Sequence, residues 1–491
     1  MSIQARKAVI CVFDGLRPDM VSKETTPNLW RFAADGAWLR QARSVFPSMT
    51  RVATTSFATG SKPQTHGVVN NAFFHRPVIA DTALDTSRAD HLALAEKFHE
   101  GRFVEAAGLG CALAKAGKSF CVVHSGSAGS AYLVNHRASH NGQWTFSIHG
   151  REFTRTPGAV DEVIERFGPP PRSNGAPKFQ EADYATRVMT DHVLARLQPD
   201  VALIWFSEPD TSYHYRRIGS RDSLDVTRKV DACFGSILDA IYSGPDAADT
   251  LVVAMSDHGQ ISMTGEFDLI GALKERGFKA TDRMEEGAEV LATHGSVSGL
   301  SLVNPDAIRL QDLAATLMHM PQTGMVFSRD GENGDAAIAG TLAYSLIGID
   351  HPRAPDLFWI ALSSAAPDLS GAPGTGLFTG GVGVPIGGGM HGGLNPHELN
   401  TMLAFGGAGI ESVGQIDDAT DLTAIAPTVL AMMGVAAPDT MTGKPIAAVT
   451  GQARPRSTRR RIEAEFNGFR QSLDIVELEN SNIVLGGGRE V

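Results

Sequence analysis

Cysteine is scarce and long apolar runs are missing, and each shortage removes a class of protein. The 491-residue chain has four cysteines, Cys11, Cys111, Cys121 and Cys233, widely spaced and without a CxxC pair. That excludes a disulfide-dense scaffold and a cysteine-ligated zinc module, and the expectation is buried free thiols of a reducing compartment rather than disulfides. No run is long enough to span a bilayer, so no membrane partner is expected. The opening MSIQARKAVICVFDG passes from basic residues directly into a strand-length apolar run, with no signal-peptide core, and predicts a cytoplasmic protein. Basic excess is lacking too: 43 Lys and Arg against 54 Asp and Glu give a net charge of −11. A nucleic-acid polymer is therefore a poor partner, although a local positive site stays open. No internal repeat is visible.

What is present is an alternation of strand and helix signals over a length that suits two or three average domains or one large α/β domain with insertions. The buried-strand runs 8–13, 119–124, 201–206 and 250–255 alternate with helical stretches near 26–37, 111–116, 181–197 and 223–242. Three of these strands run into carboxylates: Asp14, then Glu208-Pro209-Asp210, then Asp257. In an open parallel sheet the carboxyl ends of the strands share one edge, where ligands bind. From about 264 to 369 a second helix and strand set reads as an insertion. The stretch 371–393 is crowded with glycine and reads as a loop able to bring backbone close to something. The core resumes at 401–405 and at a helix within 421–433. The basic cluster RPRSTRRR near the C terminus reads as a solvated surface or a subunit contact, which leaves a homo-oligomer open. The predicted division is a core of 1–263 and 385–450, an inserted cap subdomain of 264–384 and a tail of 451–491.

Around the segment 44–71, SVFPSMTRVATTSFATGSKPQTHGVVNN, the chemistry gathers. Pro47 breaks an extended run and Thr50 opens a helix that Gly60 stops, so the Thr50 hydroxyl sits where a helix entrance favours an anion. Thr50 is the candidate nucleophile, with an ordinary N-cap as the plain alternative. Asp210 and His214 are four apart, on one side of a helical turn; Asp257 and His258 adjoin after a strand; His391 lies in the glycine-rich loop. Carboxylate oxygen and imidazole nitrogen suit zinc, with manganese or iron acceptable.

The set VFDGLRPD, FPSMT followed by ATG and THGVVNN, EPDTSYH, SDHG and MHGG, closed by DLTAIAPTVLAMMGV, resembles the alkaline phosphatase superfamily, in its type I phosphodiesterase and nucleotide pyrophosphatase branch. The resemblance covers about 7–262 and 385–447. It implies a three-layer α/β sandwich on a mostly parallel sheet and a hydrolase of small phosphorylated substrates. It further implies two divalent metals: one held by Asp210, His214 and His391, the other by Asp14, Asp257 and His258 with Thr50. Thr50 would attack phosphorus to give a phosphothreonine, and Asn71, otherwise a turn residue, would hydrogen-bond a non-bridging phosphate oxygen. In much of the branch Phe-Pro-Asn-His follows the nucleophile; here Arg51-Val52-Ala53-Thr54 does. Arg51 would bind an additional phosphate or carboxylate oxygen, or pair with a surface carboxylate. A phosphodiesterase is thus the first expectation, with a phosphomonoesterase or a phosphonoacetate hydrolase-like enzyme cleaving carbon–phosphorus bonds as the alternative. A fold kept without turnover is a third reading, disfavoured because Thr50 and all six ligands are present.

Overall fold

The computed structural model describes residues 5–380, 383–410, 413–478 and 481–490. Apolar runs of six or seven residues, too short for helices and rich in Val, Ile and Phe, form the middle of an eight-stranded sheet. Its order is 414–416, 37–39, 403–407, 250–255, 7–13, 201–206, 120–124, 144–147. The last five run parallel, while Leu403–Gly407 lies antiparallel to Thr250–Met255.

Alternation along Lys7–Phe13 sends side chains to two cores. Ala8, Ile10 and Val12 face a layer that includes Val52, Ala53 and Phe57 of helix Thr50–Thr59 and Val429 of helix Ile425–Met432. Val9, Cys11 and Phe13 face the opposite layer, with Val230, Phe234 and Ile237 of helix Arg221–Tyr242. Helices thus cover both faces of the sheet, the three-layer sandwich expected from the sequence. The long amphipathic helix expected over 181–197 begins as an α-helix, Phe179–Val188, and then widens, its end marked by the Gln198 N–H donating to the Val193 carbonyl five residues back.

A second, six-stranded sheet contains Val297–Leu302, Leu357–Ala361 and Thr323–Ser328 at its centre. One face is covered by helices Leu269–Glu275 and Ala307–His319. The other joins the first core, where the Phe46 ring meets Phe358 edge-on at 5.7 Å and Phe327 at 6.0 Å.

Two stretches differ from expectation. Part of the glycine-rich segment 371–393 is a strand, Pro373–Thr379, parallel to Ile261–Phe267. Two of its glycines answer to closeness: a Cβ at Gly376 would stand 2.9 Å from Ile261 Cδ1, and one at Gly374, whose φ of 97° also calls for glycine, 2.5 Å from Ile261 Cγ2. The C-terminal segment carrying the basic cluster and the final glycine run folds as a three-stranded antiparallel sheet, Thr458–Phe466, Phe469–Leu478 and Ser481–Glu490. Gln471 docks it on the second sheet, accepting from Val326 N at 3.0 Å and donating to Val326 O at 3.1 Å.

Candidate active site

The strand ends Asp14, Asp210 and Asp257 meet along one edge of the large sheet because strands Thr250–Met255, Lys7–Phe13 and Val201–Phe206 are parallel neighbours in register. After Phe206 the chain turns into helix Asp210–Arg216, and its first turn carries Asp210 and His214 on one side, Nε2 to Oδ1 at 3.2 Å. His391 comes in from the loop after strand Gly389–Met390, its Nε2 3.7 Å from the same Asp210 oxygen. Its ring stacks on His258, centroids 3.6 Å apart at 13°. His258 Nε2 in turn lies 3.5 Å from Asp14 Oδ1, 3.3 Å from Asp257 Oδ2 and 3.1 Å from Thr50 Oγ1. All seven of these sequence-predicted residues therefore converge.

Their ligand atoms fall into two groups, each within 4.8 Å: Asp210, His214 and His391, and Asp14, Asp210 and His258. Asp210 belongs to both. Asp257 borders the second group, with Oδ2 toward His258 while Oδ1 accepts the Gly15 N–H at 3.1 Å.

The donor set fits cations. Each imidazole has its Nδ1 against a backbone carbonyl: Gly389 at 2.6 Å for His214, Ser48 at 2.7 Å for His391 and Gly259 at 3.1 Å for His258. With Nδ1 donating, Nε2 presents a lone pair inward, the arrangement of metal-ligating histidines. Asp14 Oδ1 and Asp257 Oδ2 are buried with no hydrogen-bond partner among the described residues, an expensive state without a positive charge to answer them. Burial raises the Asp14 carboxyl well above its ordinary range, and Asp257 and Asp210 push it further. Burial likewise raises Asp257. Burial, then His258, drive His391 well below the usual imidazole value, so it is neutral as a ligand must be.

Thr50 is the first residue of helix Thr50–Thr59, 6% exposed; Met49 is the N-cap and the Thr50 hydroxyl meets His258, which removes the plain N-cap alternative. The Asn71 Oδ1 accepts the Arg51 N–H at 3.1 Å, which fixes the amide and leaves its NH2 as donor. Arg51 Nε donates to Thr86 Oγ1 at 2.9 Å, and its nearest carboxylate, Asp85, stands 3.9 Å away. Three supporting residues escaped the sequence reading. The Trp205 Nε1 donates to Asp14 Oδ2 at 3.0 Å, Gln260 Nε2 donates to Asp210 Oδ1, and Ser48 supplies the carbonyl that orients His391. A tryptophan inside a fully buried apolar strand is a faint signal of a buried N–H needing an acceptor; Gln260 and Ser48 leave none.

The family model for type I phosphodiesterase / nucleotide pyrophosphatase matches residues 8–363, well over half of the chain. The chain belongs to this family. It is accordingly a metal-dependent hydrolase acting on phosphoester bonds. Among solved structures, a variant of the alkaline phosphatase PafA is similar at TM-score 0.68 and 15% identity, over 91% of this chain and 99% of that one. Murine ectonucleotide pyrophosphatase / phosphodiesterase 5 is similar at TM-score 0.60 and 15% identity, over 88% and 96%. Its inactive variant in complex with AMP follows at TM-score 0.58, with the same identity and coverage. At this identity these neighbours speak to the fold of the family member, not to its substrate. No curated protein sequence matches significantly. Among the described residues, no helix is long and apolar enough to cross a membrane.

Proposed function

We propose that this family member cleaves small phosphodiesters of nucleotide-like type by attack of Thr50 Oγ1 on phosphorus. The observation that carries the reading is the Thr50 hydroxyl at a helix entrance, 3.1 Å from His258 Nε2 and beside two clustered sets of carboxylates and imidazoles. Asp210, His214 and His391 would hold one divalent cation, and Asp14, Asp257 and His258, with Thr50, the other; zinc suits these donors best, with manganese or iron acceptable. Bound cations would supply the positive charge that acidifies the hydroxyl and neutralises the phosphoryl oxygens.

The Oγ1–P bond forms as one ester P–O bond breaks, the hydroxyl proton leaving with the departing alcohol, and the resulting phosphothreonine keeps the second ester group. Water then cleaves the Oγ1–P bond, restoring the Thr50 hydroxyl and releasing the phosphomonoester. The N-terminal end of helix Thr50–Thr59 favours the anionic phosphoryl, and the Asn71 NH2 donates to a non-bridging oxygen. Membership of the type I phosphodiesterase / nucleotide pyrophosphatase family supports a nucleotide-like ligand.

Arg51 favours a second reading on the same site. Among the described residues its guanidinium has no closer carboxylate than Asp85 at 3.9 Å, so it can receive the extra anionic oxygen of a phosphomonoester or of a phosphonate such as phosphonoacetate. Metal analysis with hydrolysis of bis-nitrophenyl phosphate against nitrophenyl phosphate separates the two. The diester is expected to turn over faster, and Thr50→Ala is expected to lose about a thousandfold or more on both. Retained turnover in Thr50→Ala would remove the threonine mechanism.

A further inference from the structure

The outer edge of the C-terminal sheet carries a charge pattern that hydrolysis does not explain. Strand Thr458–Phe466 pairs with Phe469–Leu478 and, among the described residues, has no strand on its other side. The two are joined by a two-residue turn, Asn467-Gly468, with φ of 49° and 87°. In such a hairpin the flanking pair, here Phe466 and Phe469, is hydrogen-bonded, so Thr458, Arg460, Ile462, Ala464 and Phe466 turn their amides toward the neighbour. The amides of Arg459, Arg461, Glu463 and Glu465 therefore point outward along the free edge. The side chains of these four residues are exposed and share one face, while Ile462 and Ala464 pack inward against the core.

We infer that this edge pairs with the same edge of a second copy of the chain, antiparallel, about a twofold axis at Ile462. In that register Arg461 opposes Glu463 of the second copy and Arg459 opposes Glu465, and each pair joins outward amides to outward amides. Moving the axis to Arg461 or Glu463 would set like charges against each other, and any half-step would set outward amides against inward ones. A charged edge ordinarily prevents pairing, but it does so with charges of one sign, which repel a second copy. Here the two halves of the strand carry opposite signs and complement themselves, as a twofold interface requires. Opposite charges directly across an antiparallel pair are favourable, and the two sheets become one of six strands. Arg461 is engaged within its own sheet by Asp474, Glu490 and Glu463, whereas Arg459 and Glu465 form no salt bridge among the described residues. They are the free half of the pattern.

The test is sedimentation equilibrium of the full-length protein at micromolar concentration, for the parent, Arg459→Glu and Glu465→Arg. Neither substitution removes an internal ion pair, so the fold is not at stake. The parent is expected at twice the chain mass, and each variant alone is expected to associate at least tenfold more weakly. An equimolar mixture of the two is expected to recover the dimer, because each altered charge then faces its opposite. A monomeric parent, a dimer untouched in either variant, or a mixture that fails to associate would each overturn the interface.

Discussion

Asn71 offers the two ends of one amide to different groups: its oxygen takes the Arg51 N–H, and its NH2, without a partner among the described residues, is the proposed donor to substrate. Asn71→Asp keeps the acceptor, removes the donor and sets a negative charge against a phosphoryl group. The expected result is a fall of about a hundredfold in kcat/KM with the melting temperature nearly unchanged, read by steady-state kinetics and thermal melts of the same preparation. Trp205→Phe tests orientation instead of contact with substrate. Without the Nε1 donor, Asp14 keeps no hydrogen bond on either oxygen, and metal affinity measured by titration is expected to drop about tenfold or more. Away from this chemistry, burial holds the His136 imidazole down at about 4, against an ordinary value of 6.5. Its folded-state value is depressed, so the unfolded chain takes up the proton first, and the neutral ring's contribution is lost as pH falls from 6.5 toward 4. That contribution is about 3 kcal/mol, and His136→Gln is expected to flatten the decline of melting temperature over this acid range relative to the parent. The residues at strand ends and in the MHGG loop were legible because each is a short polar interruption of an apolar or glycine-rich pattern. Trp205, Gln260 and Ser48 were not, since each acquires its task from a contact that only the folded chain brings about.

The elements were legible to the degree that their pattern is local. Strands 201–206 and 250–255 end where the sequence put them, because an unbroken apolar run between polar residues has no other use in a sheet covered on both sides. The glycine-rich stretch was misread for a physical reason: glycine reports both backbone freedom and lack of room, and sequence does not distinguish them. At Gly376 the reason is room, set by Ile261 on a strand distant in sequence. Gly376→Val is accordingly expected to push the two strands apart and cost about 2 kcal/mol, measured by urea denaturation. The C-terminal sheet escaped notice because its middle strand buries Gln471 and Ser472 among apolar residues and does not alternate cleanly, while its outer strand is dominated by charge, and an outer strand is recognisable only beside its neighbour.

Across the whole molecule, three carboxylates, Asp14, Asp210 and Asp257, lie buried together at one sheet edge, and that placement is tolerable when cations share it. Exhaustive chelation is expected to abolish hydrolysis and lower the melting temperature by several degrees, with both restored by added zinc. The packing of Phe46 between the two sheets has a different reach. That ring stands a few residues before the proposed nucleophile and rests on Phe327 and Phe358 of the second sheet. Residues of both sheets share one hydrophobic core, which couples their melting, and calorimetry is expected to record a single endotherm. Trimming the 264–384 segment would remove Phe327 and Phe358, the two rings that brace Phe46 on the approach to Thr50.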